Sequence, residues 1–366
     1  MTVPAINPIV EFFQAKAPKG TAVLAGEFAA TAPFPHFAAA FRAEGWDVAE
    51  VDHRSYMSMP GNRWVNRITD RLLPAAKSRS LGAAIEKSVS NSGADLVLFA
   101  KGVGANRDLL ARLSARGCRT VCWYPDRDFD HANVYPEAFA DFDLFVTTKV
   151  HQLQHLRAIR RERPTVLIEH GWSPGVHWRL HPPMAPADRP FDLIFVGNFS
   201  PYKLNWLAGL VQRLPHLRLA IAGHAWPKVL PELGSNVTLG GPLIGDSMSR
   251  AIGHARIAIA VHHGPGGRHG WQDDVSARTF EIPACGTFML HIDNPHVRTL
   301  FDVPGEIDVF ATADELAAKV THYLANPDER EGAAARAYSR AVPAYSYFEA
   351  GRAISNAIQH ELGAKD

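Results

Sequence analysis

Asp273-Asp-Val-Ser-Ala-Arg-Thr-Phe-Glu281-Ile-Pro-Ala-Cys-Gly286-Thr-Phe-Met-Leu-His291 reads as a loop, a helix, a stop and a strand in immediate succession. It follows an apolar run at Ile257–Val261 and a glycine-rich loop, Gly264-Pro-Gly-Gly-Arg-His-Gly270. Gly286 ends the helix, and the apolar residues after it begin a new strand. Strand, loop, helix and strand in that order is the unit of a parallel α/β sheet. A loop that feeds a helix start presents unpaired N–H groups and a positive dipole end, a setting suited to phosphate. Val275, Ser276 and Ala277 fall at that end, and Glu281 follows one to two turns later, within reach of paired hydroxyls such as those of a ribose.

The same alternation extends in both directions. Upstream of the quoted stretch, strands are predicted at Leu193–Val196, Leu217–Ala222 and Val237–Leu239, and downstream at Phe288–His291 and Ile307–Phe310. The first half predicts strands at Thr21–Ala25, Asp47–Val51, Leu96–Ala100, Thr120–Tyr124, Leu144–Thr147 and Val166–Ile168. Helical patterns at Pro35–Glu44, Asn66–Ser90, Asn106–Ala115 and Val150–Arg160 separate them. Asp95, Asp143 and Asp192 each precede a buried-strand pattern, as turn residues do. Between the two series, Ser173–Pro190 contains five prolines, a density that blocks helix and sheet interiors alike. Ala313–Leu362 is helical in pattern almost throughout. The expectation is an α/β protein of two doubly wound domains, with ligands in the crevice at the carboxyl ends of the strands.

Lys and Arg total 38 against 37 Asp and Glu, intermixed along the chain, which removes the electrostatic case for a nucleic-acid partner. The three cysteines, Cys118, Cys122 and Cys285, form no disulfide framework and fit a reducing, cytoplasmic setting. The N-terminus lacks the pattern of a signal peptide, and no apolar stretch reaches transmembrane length.

Arg278-Thr-Phe-Glu281-Ile-Pro-Ala-Cys-Gly286 resembles the signature of group 1 glycosyltransferases, in particular the branch related to the spore maturation protein CgeB. Asp273 and Glu281 are similar to that family's acidic pair, eight positions apart, whose first member is usually Glu. Phe195-Val-Gly-Asn-Phe-Ser-Pro-Tyr-Lys203 resembles the first strand and glycine loop of the family's donor domain. Glu169-His-Gly171-Trp-Ser-Pro-Gly-Val-His177 is similar to the segment entering the hinge, and Tyr345-Ser-Tyr-Phe-Glu-Ala-Gly-Arg352 to the helix that crosses back. The resemblance implies the GT-B fold, two Rossmann-like domains facing across a cleft. It partitions the chain into residues 1–172 on the acceptor side, a hinge at 173–190, a donor domain at 191–345, and a returning helix at 346–366. The implied activity is transfer of a hexose-type sugar from a nucleoside diphosphate sugar, of UDP or GDP type, to a hydroxyl on a glycan, protein or small molecule. Anomeric configuration would be retained, and no metal or other cofactor would be needed.

Each candidate residue also has a plainer reading. Glu281 is either a ribose anchor or a helix carboxylate beside Arg278, and Arg278 either meets the diphosphate or pairs with a neighbour. Asp273 is either a site carboxylate or a helix cap, with Asp274 beside it as a substitute. Lys203 either contacts phosphate or sits solvated at a helix start, and Gly197 allows close backbone approach in both cases. Asp126, in Trp123-Tyr-Pro-Asp126-Arg-Asp128, either orients and helps deprotonate an acceptor hydroxyl or belongs to an Asp–Pro turn. The Lys101-Gly-Val-Gly104 loop and Gly26-Glu27 are expected to line the same cleft. His262, His263 and His269 sit around a glycine loop that fixes little geometry, so loop residues are expected rather than metal ligands. Two alternatives share the fold: a nucleotide-sugar epimerase, and a non-catalytic nucleotide-sugar-binding protein, the latter favoured by Asp273 in place of Glu and opposed by Glu281 and the retained glycine loops.

Overall fold

The computed structural model describes residues 17–57, 74–226 and 233–363. In its first half, β1 (Gly20–Gly26), α1 (Pro33–Ala43), β2 (Trp46–Asp52), α2 (Pro74–Ser92), β3 (Leu96–Ala100), α3 (Arg107–Ala115), β4 (Arg119–Tyr124), β5 (Leu144–Thr147), α4 (Val150–Arg160) and β6 (Thr165–Leu167) follow in turn. The strands form one parallel sheet in the order β2-β1-β3-β4-β5-β6. Of the helix expected at Asn66–Ser90, residues 66–73 lie outside the described residues, and the helix runs on to Ser92.

The second half contains β7 (Phe191–Val196), α5 (Pro201–Arg213), β8 (Leu219–Ala222), β9 (Val237–Gly240), α6 (Asp246–Gly253), β10 (Ala255–Ala260), α7 (Ala277–Ala284), β11 (Phe288–Ile292) and β12 (Asp308–Phe310). These strands make a second parallel sheet, ordered β12-β11-β10-β7-β8-β9. The chain closes with α8 (Ala313–Ala325), α9 (Pro327–Ala344) and α10 (Tyr347–Leu362). Two parallel six-stranded sheets with flanking helices constitute the GT-B architecture. Apolar side chains fill both faces of each sheet, and β3 is buried along its whole length, as parallel strands covered by helices must be.

The strand-leading aspartates do more than turn the chain. Asp143 Oδ2 accepts from the Thr120 N–H at 2.8 Å, and Asp192 Oδ2 from the Arg218 N–H at 3.0 Å. Each carboxylate satisfies a backbone donor at the start of the neighbouring strand, where the ladder has no partner for it.

The halves are joined by two chain crossings that run side by side. The Trp172 N–H donates to Tyr345 O, and the Tyr347 N–H donates to Trp172 O, both at 2.9 Å. Gly171 lets them meet, since a Cβ there would come within 2.5 Å of Tyr347 N. After the crossing, α10 packs on the first sheet's α1. Trp46 Nε1 donates to Ser355 Oγ at 2.8 Å, and Arg352 pairs with Glu44 at 2.9 Å. The proline-rich segment after Trp172 is fastened to the second sheet's layer. Trp178 Nε1 donates to Asp246 Oδ1 at 2.8 Å, Ser249 Oγ donates to Val176 O at 3.0 Å, and Leu180 lies against Gly253. Among the described residues, no helix is long and apolar enough to cross a membrane.

Candidate functional site

The carboxyl ends of both sheets face a shared cleft. On the second sheet, β7 ends at Val196 and the chain turns through Gly197 and Asn198 into α5. Gly223 must be glycine because the Gly197 carbonyl oxygen would lie 2.0 Å from a Cβ there. Ser200 caps α5 by accepting from the Lys203 N–H, with Pro201 at the first helical position. Lys203 is thereby turned inward, buried, and its Nζ donates to Asn198 O at 3.1 Å. Burial pushes its ammonium down to about 8, with the Asp273 carboxylate pulling the other way.

The glycine loop and α7 supply the rest of this rim. Ser276 caps α7 in a capping box with Thr279, so the Ser276 and Arg278 N–H groups are bonded within the chain. Of the expected amide donors at Val275, Ser276 and Ala277, the box therefore consumes that of Ser276. Ala277, the first helical residue, keeps an N–H with no intrahelical acceptor. Two buried histidines hold the cap. His291 Nδ1 donates to Ile292 O at 2.6 Å, which leaves its Nε2 to accept from His262 Nε2 at 2.8 Å. His262 Nδ1 then accepts from Ser276 Oγ at 2.9 Å. The hydrogen-bond network assigns these tautomers and needs both rings neutral. Burial agrees, driving His262 well below the ordinary histidine range and His291 to about 4.

Arg278 Nε donates to Val196 O at 3.2 Å, so its guanidinium reaches back to the end of β7, where it also pairs with Glu281. Glu281 is buried, and its other oxygen faces His177 Nε2 at 3.6 Å. His177 Nδ1 accepts from the Ser173 N–H at 2.9 Å, so Nε2 carries the proton. Burial, and then the Arg278 charge, push His177 down to about 3. Glu281 is thus the carboxylate beside Arg278, buried between that guanidinium and His177.

Asp273 is buried and lies 2.9 Å from Lys149 Nζ. Lys149 comes from the first sheet, at the cap position of α4, and also donates to Val275 O at 2.8 Å. It was not anticipated from sequence, where it follows two threonines and carries no motif. Asp273 does not cap α7, since Ser276 does. The two sheets also meet where Arg127 Nη1 donates to Gly264 O at 2.9 Å. Beside that contact His269 stacks on Trp271 at 4.1 Å, and Trp271 meets Phe129 edge-on at 5.3 Å. His269 is therefore held in an aromatic cluster and His262 in a histidine relay. Among the described residues no cluster of histidine, cysteine or acidic side chains has metal-binding geometry.

Asp126, at the end of β4, belongs to two adjoining chambers. One, of about 410 Å³, lies between the sheets and is lined by Lys149, His170, His263, Asp273 and Ser276. The other, of about 440 Å³, lies on the first sheet, against Phe34, Lys101, Trp123, Asn133 and Tyr347. Pro125, Asp126 and His131 line both. Asp126 pairs with Lys101 Nζ at 2.6 Å and His131 Nε2 at 2.5 Å. Burial raises its carboxyl, but these two partners outweigh burial and hold it well below the usual carboxylate range. It is an ionised acceptor and a weak base. Glu27 and Lys101 line the first-sheet chamber, as their strand-end positions predicted.

Residues 203–354 match the family model described as glycosyl transferase-like. No curated protein matches the sequence. Among solved structures, sucrose-phosphate synthase from Thermosynechococcus elongatus superposes with a TM-score of 0.67 at 13% identity, covering 95% of this chain and 100% of that one. HepE of Anabaena, bound to UDP and glucose, gives 0.60 at 12% identity, covering 93% and 100%. A putative UDP-N-acetylglucosamine 2-epimerase from Listeria monocytogenes gives 0.54 at 12%, covering 96% and 98%. At these identities the likeness is one of fold. Residues 203–354 thus carry a glycosyl transferase-like sequence pattern within a chain of GT-B fold.

Proposed function

We propose that this chain transfers a sugar from a nucleoside diphosphate sugar to a hydroxyl-bearing acceptor. The observation that carries the reading is the convergence of Arg278 and Lys203 on the backbone at 196–198, beside Glu281 and the start of α7. These groups come from separate strand–helix units and meet at one strand end. Two cations, a helix start and a carboxylate match a diphosphate followed by a ribose. The bond between the anomeric carbon and the diphosphate oxygen breaks, and the acceptor oxygen bonds to that carbon. Lys203, Arg278 and the Ala277 N–H stabilise the charge that develops on the departing diphosphate. Asp126 orients the acceptor O–H, and in a front-face attack that retains configuration the departing phosphate takes the proton. This scheme assigns the phosphate charge to protein groups, without a metal.

The UDP in HepE favours a uridine donor over a guanosine one. The Arg278–Gly286 motif supports the CgeB-like branch, and three free, buried cysteines support a reducing cytoplasm. We place the pivot between a first domain ending at residue 172 and a donor domain at 191–345 where Trp172 and Ser346 pair. The 173–190 segment then moves with the donor domain to which it is fastened.

The epimerase reading shares the fold of one structural relative. The second chamber sharing Asp126 favours transfer, because an epimerase needs no acceptor site. Incubating the protein with UDP-glucose and UDP-N-acetylglucosamine, with and without hydroxyl acceptors, separates the readings. Transfer predicts acceptor-dependent UDP release with a glycosylated product. Conversion of the sugar nucleotide without acceptor would establish the epimerase, and binding without turnover would establish the non-catalytic protein.

A further inference from the structure

Three buried polar atoms around the first-sheet chamber have no hydrogen-bond partner among the described residues: His53 Nδ1, Trp123 Nε1 and Asn133 Oδ1. Buried indole N–H and amide oxygen groups are normally paired, so such a cluster around one cavity marks a ligand's hydrogen-bond pattern. Trp123 offers only a donor and Asn133 Oδ1 only an acceptor. A hydroxyl serves both, because it accepts and donates at once. Phe34, Met57, Val103 and Tyr347 add apolar wall to the same space, and Trp123 is locked by edge-on contacts with Phe37 and Tyr347.

The charges select further. Among the described lining residues Lys101 is the only lysine or arginine, and its ammonium is taken by Asp126. Glu27 adds a second carboxylate, and burial keeps His53 on the neutral side. A phosphorylated ligand would find no unpaired cation among these residues. We propose that this chamber binds the acceptor as an uncharged, polyhydroxylated ring, a sugar unit or glycoside, with its reacting hydroxyl at Asp126. The assignment to an acceptor rests on the transferase reading, whereas the chemistry of the chamber does not.

Saturation-transfer NMR tests it on the whole chain held with saturating UDP. The probes are methyl glycosides of glucose, galactose, mannose and N-acetylglucosamine, alongside glucose 6-phosphate and mannose 6-phosphate. At least one neutral glycoside should bind more tightly than either phosphate. Its affinity should fall about fivefold or more in Trp123→Phe, which keeps a ring but loses the N–H. Asn133→Gly should give the same loss, and glycine tolerates the left-handed φ of 62° found there. UDP affinity should stay within about twofold in both variants, since neither touches the second sheet. Tighter binding of the phosphates, no neutral glycoside bound, or binding indifferent to both substitutions would overturn the proposal. Glycoside binding with these losses in a chain that ignores both UDP and GDP would instead remove the transferase reading and leave the sugar chamber standing.

Discussion

On the second sheet's rim, Lys203 and Arg278 are aimed by backbone carbonyls, and Ser276 is fixed by a capping box and a two-histidine relay. On the first sheet's rim, Asp126 is held by the Lys101 and His131 side chains, and Trp123 and Asn133 keep polar atoms unpaired among the described residues. One rim has its cations and its helix cap tied to groups of the chain, and the other leaves its hydrogen bonds to whatever enters. That contrast suits a donor whose diphosphate is constant chemistry and an acceptor that must be chosen.

The largest effect should come from Asp126→Asn. Losing the group that orients the acceptor hydroxyl is expected to lower the transfer rate by about 10²-fold. Calorimetric UDP affinity should be unchanged, and a variant that lost both equally would erase the division between the rims. Next is the bridge between them. Lys149→Met leaves the buried Asp273 without its cation and should destabilise the fold by about 3–5 kcal/mol, read by urea denaturation. The double variant Lys149→Met/Asp273→Leu should recover most of that loss, and no recovery would mean that Lys149 acts independently of Asp273. Glu281→Ala should weaken UDP binding by about 1.5–3 kcal/mol while leaving the chain folded. Unchanged affinity would remove the ribose assignment from the second rim.

A smaller, graded effect follows from Lys203, whose folded-state value near 8 lies below the ordinary lysine range. Between there and the unfolded value the unfolded chain binds more protons, so stability rises with pH across that window. UDP needs the charged form, so its affinity should fall as pH rises past about 8, by up to about tenfold per unit. Lys203→Arg should flatten that slope, because arginine stays charged.

Most of the second rim is legible in sequence because its geometry is local. The residues from Asp273 to Gly286 span one loop and one helix, and helix periodicity sets where Ser276, Arg278 and Glu281 point. Lys149 is legible only in three dimensions, since 124 positions separate it from Asp273 and nothing around it forms a motif. His262 lies in the loop after β10, as expected, and His291 on the predicted strand, but only tertiary packing brings their rings to 2.8 Å. The prolines of 173–190 correctly announce a segment without α-helix or strand, which holds only a short 3-10 turn at Pro186–Asp188. They say nothing about whether the segment swings free or is pinned by Trp178 and Leu180. The first-sheet chamber was foreseen only as strand-end loops, because its character depends on which side chains are left unpaired after folding.

If Lys203, Arg278 and the start of α7 suffice to bind a diphosphate, UDP binding needs no metal ion. Calorimetric titration of UDP into the chain in the presence of a chelator, repeated with added manganese, tests it most directly. One UDP should bind per chain, with the same affinity in both titrations. Binding that vanishes with chelator and returns with manganese, or no binding in either, would contradict it.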